Sequence, residues 1–141
     1  MDQMLEFVSN HALLNVAVVV IVFLIIKMEL ERFTSGIVQI NPFEAIRALN
    51  DDNAIVLDVR EIKEFNDGHL KDAVHIPLSD FKSRLDELSK YKDKRVIAYC
   101  RSGSRSYSAC KTLKKAGFEA VNNLQGGIMA WQNQNMPVSK K

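Results

Sequence analysis

The chain has 141 residues, of which 47% are hydrophobic and 26% charged, and its net charge is +2. This length suffices for one domain with a hydrophobic core but not for two ordinary domains, and the small net charge gives no support to nucleic-acid binding. The two cysteines, Cys100 and Cys110, are too few for a secreted disulfide framework, and no spacing of histidines and cysteines is typical of a metal site. We therefore expect a reducing compartment and no bound metal.

The first part of the chain is a long apolar stretch. Residues 12–26, ALLNVAVVVIVFLII, carry no charge and one polar side chain, that of Asn15. As an α-helix this stretch would be roughly 22 Å long, and its apolar neighbours bring it close to the roughly 30 Å of a bilayer core. We predict a short N-terminal segment at 1–11, a transmembrane anchor at 12–28 and a linker at 29–36.

Two other interpretations of the apolar stretch fit less well. A cleaved signal peptide would begin with basic residues, whereas this chain begins with Asp2 and Glu6. A buried core helix would show a polar face, which residues 16–26 lack. Lys27 and Arg32 follow the apolar run and no Lys or Arg precedes it, so the positive-inside rule places the rest of the chain in the cytoplasm.

From residue 37 onward, strand-like and helix-like patterns alternate along the chain. Short apolar runs predict strands at 37–40, 54–59, 73–76, 95–100 and 119–124. Apolar residues at helical spacing predict helices at 42–50, 61–67, 79–91, 104–117 and 126–134. The alternation predicts an α/β fold, a doubly wound and mostly parallel five-stranded sheet with helices on both faces.

The helix expected at 79–91 has a start signal and an apolar face. Ser79 is a candidate N-cap, because its hydroxyl can accept a hydrogen bond from an unpaired N–H of the first turn. Phe81, Leu85 and Leu88 fall on one side of the helix. We expect this side to be buried.

The sequence CRSGSRS at 100–106 follows the fourth predicted strand and precedes a helix. Ligands bind at this edge of a parallel sheet, where the first N–H groups of the helix lack backbone partners. Such N–H groups and the helix dipole stabilise an anion and lower the pKa of a thiol held there. Gly103 lets the backbone curl, and Arg101 and Arg105 add forked donors for an oxyanion.

The alternative for this segment is a buried apolar cysteine beside a solvated turn. Two arginines, a glycine and three serines crowd the same seven residues as the cysteine, and this crowding favours a nucleophile. Cys100 is therefore the candidate catalytic residue. The candidate binding residues are the five that follow it, Arg101, Ser102, Gly103, Ser104 and Arg105.

The strand–CRSGSR–helix segment resembles the active-site loop of single-domain rhodaneses, which are sulfurtransferases. Three further stretches stand in the order that this family shows: VLDVRE at 56–61, GHLKDAVHIPL at 68–78 and LQGGIMAW at 124–131. The resemblance covers residues 37–138 and leaves a tail at 139–141. Asp72 stands where the family often has Gly in a turn, and Asp tolerates turn conformations.

The resemblance implies that Cys100 attacks the outer sulfur of a small donor, thiosulfate or a persulfide, and retains that sulfur as a persulfide. A thiol or a sulfur-carrier protein would then accept it. The N–H groups of residues 101–105 would hold the persulfide anion, and Arg101 and Arg105 would orient an anionic donor. The resemblance calls for no metal and no organic cofactor.

With its apolar N-terminal stretch, the chain is similar to bacterial membrane-anchored rhodanese-like proteins. The similarity implies a single-pass protein of the bacterial inner membrane with its catalytic domain in the cytoplasm. Residues 12–28 would contact the membrane, where a membrane-protein partner is possible.

Several residues outside the loop have expected supporting roles. Asp58 and Arg60 match the DVR motif of the family, and we expect a hydrogen-bonded pair that braces the end of the sheet. Gly126, Gly127 and Trp131 are expected to pack beneath the loop. The remaining expectations are a backbone partner for His69 and a buried Cys110 without a resolving role.

Two rival functions remain open at this point. A phosphatase of the same fold would also use a cysteine and an arginine, but such enzymes resemble a pattern with five residues between them, whereas four separate Cys100 from Arg105. A membrane-tethered scaffold or binding module, with incidental sulfur carriage, is the second rival. The complete loop is not needed by such a module.

Overall fold

The computed structural model describes residues 11–140. Residues 1–10, which make up nearly all of the expected N-terminal segment, and Lys141 lie outside the described residues. The chain divides into two compact units between Ser35 and Gly36.

The first unit contains helix α1, Ala12–Thr34. The helix has 23 residues, an 18-residue window of mean hydropathy 2.5, and no buried residue. This length and composition allow a membrane crossing, although a signal sequence near an N-terminus shares them. The helix also extends through the first six residues of the expected linker at 29–36, because Glu, Leu and Arg favour helix and Glu29 pairs with Arg32 over 3.7 Å.

The second unit contains the remaining elements. The strands are β1 Val38–Ile40, β2 Ala54–Asp58, β3 Val74–His75, β4 Arg95–Tyr99 and β5 Val121–Leu124. The α-helices are α2 Pro42–Leu49, α3 Ile62–Asp67, α4 Ser104–Lys115 and α5 Gly127–Asn133. The strand order is β1-β5-β4-β2-β3 and every pairing is parallel, which confirms the predicted five-stranded sheet.

Hydrophobic cores cover both faces of the sheet. One core joins Val96, Ala98 and Cys100 of the β4 segment to α4, and the other joins Ile97 and Tyr99 to α2 and α5. Successive residues of a strand point to opposite faces, so this alternation divides β4 between the two cores. Cys100 therefore extends from the face that α4 covers.

The prediction of a single helix at 79–91 is wrong in the type of helix. The segment forms two 3₁₀ helices, Leu78–Asp80 and Leu85–Tyr91, and Ser79 lies inside the first instead of capping an α-helix. A 3₁₀ helix has three residues per turn, so Leu85, Leu88 and Tyr91 share one face against the core. The expected burial is confirmed for Phe81 and Leu88, which lie in that core, whereas Leu85 is partly buried and packs against it.

Ser139 pairs with His69 of the domain, although the sequence analysis assigns Ser139 to a tail. Its N–H donates to the His69 carbonyl over 2.7 Å, and the His69 N–H donates to the Ser139 carbonyl over 2.8 Å. The ordered chain therefore continues past residue 138.

A buried ion pair stands at the carboxyl end of β2. Arg60 donates through Nη2 to Asp58 Oδ2 over 2.6 Å and through Nε to Oδ1 over 3.0 Å. Arg60 Nη2 also donates to the Gly68 carbonyl over 2.8 Å, and its guanidinium lies 5.4 Å from the centre of the Tyr99 ring. The pair thus links β2 to the turn before β3 and to β4.

Asp58→Ala should strongly destabilise the domain of residues 36–141, because it leaves the Arg60 charge buried without a partner. We expect a loss of about 3–5 kcal/mol in the free energy of unfolding, measured by urea denaturation. The matched control is Glu87→Ala, which breaks the exposed Arg84–Glu87 pair and should shift the midpoint little. Equal midpoint shifts in the two variants would contradict the bracing role.

Candidate active site

The sulfur of Cys100 lies at the N-terminus of α4. Cys100 follows β4 directly, and the chain then curls through Gly103, whose φ of 99° is left-handed. This turn directs the Gly103 N–H to Sγ over 3.1 Å, and Ser106 Oγ lies 3.5 Å from the same sulfur. The sulfur therefore has hydrogen-bond donors around it before any ligand arrives.

These donors change the acidity of the thiol. Burial of Cys100 raises its pKa, but hydrogen bonds from Ser106 and from the N–H groups of Ser102 and Gly103 outweigh this effect, so the pKa lies below its usual range. A lower pKa increases the thiolate fraction at neutral pH, and the thiolate is the reactive form. Since Cys100 is only 1% exposed, a reactant must bring a small terminal atom to the sulfur.

A polar network behind the sulfur holds Ser106 and the loop. Asn123 Nδ2 lies 3.0 Å from the Gly103 carbonyl oxygen and donates to it, because a carbonyl can only accept. Nδ2 also donates to Gln39 Oε1 over 3.0 Å. Asn123 Oδ1 is then left to accept from the Ser106 hydroxyl over 2.6 Å.

The Ser106 hydroxyl has one proton and two possible acceptors. When Cys100 is a thiol, that proton stays with Asn123 and the S–H can donate to Ser106 Oγ. When Cys100 is a thiolate, the hydroxyl can turn to the sulfur, because a charged acceptor forms the stronger hydrogen bond. Ser106 therefore serves both protonation states of the nucleophile.

The loop rests on the start of α5. The Cys100 carbonyl accepts from the Ile128 N–H over 2.9 Å, and the Arg101 carbonyl accepts from the Met129 N–H over 3.2 Å. Gly127 lies directly below with a φ of 58°, and a Cβ there would lie 2.5 Å from the Arg101 carbonyl oxygen. Only glycine allows this close approach of the two backbones.

The two other residues expected beneath the loop are arranged differently. A Cβ on Gly126 would meet the Ala130 side chain, while Trp131 packs in the core between the sheet and α5. The Trp131 indole donates to the Pro137 carbonyl over 3.0 Å, which fixes the chain after α5. Gly126 also lies against the loop, because a Cβ on Gly103 would be 3.4 Å from the Gly126 nitrogen, whereas Trp131 supports α5.

The two arginines of the loop have different surroundings. Arg101 is exposed, and within residues 11–140 no hydrogen bond or ion pair involves its guanidinium. Arg105 donates through Nη1 and Nη2 to the two carboxylate oxygens of Glu64, each over 2.8 Å. This bidentate pair lowers the pKa of Glu64 to about 2, so the carboxylate is ionised throughout the physiological range.

Cys110 differs from Cys100 in its surroundings. Its side chain is buried in the core, and its Sγ lies 3.6 Å from the Asn122 carbonyl oxygen. Burial, together with the negative charge of Cys100, raises the pKa of Cys110 to about 12. The thiol therefore stays protonated at neutral pH, which makes it a poor nucleophile.

His69 has the backbone partner that the sequence suggested. Its Nδ1 lies 2.9 Å from the Phe65 carbonyl oxygen, and the Phe65 ring stacks between His69 and His75.

Among residues 11–140 no cluster of three or more His, Cys, Asp or Glu side chains could hold a metal ion.

Sequence reasoning missed four residues that shape the site. Ser106 lies inside the quoted CRSGSRS segment, and its place one turn into the helix could have indicated a contact with the cysteine. The partners Glu64, Asn123 and Gln39 come from distant elements, and no local pattern marks them.

Comparison with known proteins assigns the family. A family model described as the rhodanese-like domain matches residues 41–134. The chain belongs to the rhodanese-like family. The match runs from the start of α2 to the end of α5 and includes strands β2 to β5, so the resemblance found in the sequence is confirmed.

Relatives of this rhodanese-like chain match it either over nearly its whole length or over about two thirds of it. It is 31% identical over 139 residues to the uncharacterized protein YibN of Escherichia coli K12, covering 98% of this chain and 97% of YibN. It is 37% identical over 92 residues to a sulfurtransferase of Allochromatium vinosum, covering 65% and 84% of the two chains. The crystal structure of a rhodanese-related protein from Thermoplasma volcanium matches with a TM-score of 0.67 at 29% identity, covering 74% of this chain and 99% of that one.

Ser106→Ala should raise the pKa of Cys100, because the thiolate loses a donor. Alkylation by iodoacetamide at neutral pH should slow by roughly two- to tenfold, the factor for about 0.5–1.5 kcal/mol of one hydrogen bond. The pH profile of alkylation measures the shift directly. Ser108→Ala, the same deletion at an exposed position of α4, is the control and should leave the profile in place. An unchanged profile in Ser106→Ala would contradict the role of its hydroxyl.

Proposed function

We propose that this rhodanese-like protein is a sulfurtransferase that carries sulfane sulfur as a persulfide on Cys100. The observation that carries the proposal is the cradle at the N-terminus of α4, where the Gly103 N–H lies 3.1 Å from Sγ. Backbone N–H groups at a helix N-terminus stabilise a small anion without needing a second charged group. The sulfurtransferase of Allochromatium vinosum, 37% identical over the matched region, supports the same chemistry.

The transfer has two displacement steps on sulfur. The Cys100 thiolate attacks the outer sulfur of thiosulfate, the S–S bond of the donor breaks, and sulfite leaves with the electron pair. An acceptor thiolate, from a small thiol or a sulfur-carrier protein, then attacks the outer sulfur of the persulfide, and the Cys100 thiolate is the leaving group. In both steps the N–H groups of residues 101–105 hold the negative sulfur.

The geometry favours this proposal over its rivals. Phosphoryl transfer needs a loop that surrounds a tetrahedral group with three equatorial oxygens, and four residues between Cys100 and Arg105 make a tighter ring. A scaffold without chemistry would not need a cysteine whose pKa is lowered by three loop residues.

Thiosulfate should add one sulfur to the protein, and the sulfur should be on Cys100. We expect the intact mass of the chain to rise by one sulfur atom and to return to its original value with cyanide. Cys100→Ser should show no gain, whereas the control Cys110→Ser should behave as the unchanged protein because its thiol is buried and protonated. The same gain in Cys100→Ser would place the sulfur elsewhere, and no gain in any form would contradict sulfur transfer from thiosulfate.

We also propose that residues 12–28 anchor the protein in the bacterial inner membrane with the domain in the cytoplasm, where a membrane-protein partner could receive the sulfur. Helix α1 has the length and hydropathy for this role, and Lys27 and Arg32 lie at its C-terminal end.

In cells, the full chain should stay in the membrane fraction after a carbonate wash, and a chain that begins at Gly36 should not. Protease added to spheroplasts should leave the domain intact, because the inner membrane shields the cytoplasm. Digestion of the domain would show that it lies on the periplasmic side and would contradict the proposed orientation. A mature chain shortened by the length of α1 would establish a cleaved signal sequence.

A further inference from the structure

The Glu64 carboxylate lies beside the loop and pairs with Arg105. We propose that this carboxylate, by neutralising Arg105, biases the site against dianionic donors such as thiosulfate and towards donors with at most one negative charge, the class that includes hydropersulfides of thiols. The inference rests on the proposed sulfur transfer through Cys100.

The Glu64 carboxylate has a fixed position. Its two oxygens accept from Nη1 and Nη2 of Arg105 over 2.8 Å each, and Oε2 also accepts from the Glu61 N–H over 3.1 Å. The Glu64 and Arg105 side chains are 31% and 35% exposed, so water screens the pair only in part. Three donors and partial burial hold the negative charge next to the loop.

The pair leaves little positive charge for a donor. The guanidinium of Arg105 already engages a carboxylate through Nη1 and Nη2, which is one of the edges that can bind an oxyanion in bidentate fashion. Arg105 directly precedes Ser106, whose Oγ lies 3.5 Å from the Cys100 sulfur, so its charge is close enough to act on a donor at that sulfur. Arg101, which is exposed, is the other cation of the loop.

The charge of the donor therefore decides the electrostatic cost of the first step. With thiosulfate, a thiolate of charge −1 attacks a dianion, and a total charge of −3 collects beside Glu64. With a hydropersulfide, the thiolate attacks the outer sulfur, the S–S bond of the donor breaks, and the donor thiolate leaves with the electron pair. The products are Cys100–S–SH and RS⁻, and the total charge stays at −1.

Two donors that differ mainly in charge test the inference. Methanethiosulfonate is a sulfane donor like thiosulfate, but a methyl group replaces one charged oxygen. The measurement is kcat/KM for sulfur transfer to cyanide with each donor, using the full chain in detergent. The variants are Glu64→Gln, which removes the charge and keeps an acceptor for Arg105, and Glu64→Asp, which keeps the charge. Glu87→Gln is the matched control, because it removes a carboxylate from the bidentate pair with Arg84.

The Coulomb energy between Glu64 and the donor scales with the charge of the donor. Removing the Glu64 charge should therefore raise kcat/KM for the dianion by the square of the factor for the monoanion. We expect Glu64→Gln to raise kcat/KM about tenfold for thiosulfate and about threefold for methanethiosulfonate. The ratio between the donors should stay near that of the unchanged protein in Glu64→Asp and Glu87→Gln. Changes in the nucleophilicity of Cys100 affect both donors and cancel in this ratio.

Equal changes for the two donors, or a fall for thiosulfate alone, would overturn the inference and leave Glu64 a brace for Arg105. If Glu64→Gln does not fold, Glu64→Ala provides the test, because it also removes the negative charge beside Arg105. An unchanged ratio of kcat/KM between the two donors in Glu64→Ala would overturn the inference. No transfer from either donor in the unchanged protein would remove the proposed function and this inference together.

Discussion

The proposed chemistry of this protein depends on one hydrogen bond, which the Gly103 N–H donates to the Cys100 sulfur over 3.1 Å. A buried thiolate without donors would cost more free energy than the thiol, and the nucleophile would stay protonated. The bond exists because Gly103 takes a left-handed conformation and because Asn123 holds its carbonyl from behind. N–H groups near the start of α5 donate to the carbonyls of Cys100 and Arg101, the first two residues of the same loop. The reactive sulfur is therefore prepared by backbone geometry more than by charged side chains.

Two arginine–carboxylate pairs illustrate how burial and position separate structural from functional electrostatics. Asp58 and Arg60 are nearly adjacent in sequence and almost completely buried, and they join three segments at the end of the sheet. Glu64 and Arg105 are 41 residues apart and about one-third exposed, and they meet beside the reactive loop. The first pair would leave a buried charge if broken, whereas breaking the second should cost less stability and, as we propose, change the binding of a donor.

The sheet was predictable because each strand carries its own apolar run, and the alternation of strands and helices restricts the topology. The five predicted strands are all present, although β3 shrinks to Val74–His75. The helix at 79–91 was not predictable in type, since Phe81, Leu85 and Leu88 fit an α-helix equally well. Contact with the core selected the three-residue turn that puts Leu85, Leu88 and Tyr91 on one side.

The sequence by itself determined the family and the local chemistry: a cysteine after a parallel strand, a glycine that lets the loop curl, and a helix whose first N–H groups are unpaired. These features lie within a few consecutive residues, so the sequence displays them directly. Only the tertiary structure decided which partners meet the loop, namely Glu64 from α3 and Asn123 from β5. Packing of distant segments creates those contacts, and no local pattern encodes them. For this reason the sequence assigned Arg105 to an anionic donor, while the folded chain provides a carboxylate that already occupies it.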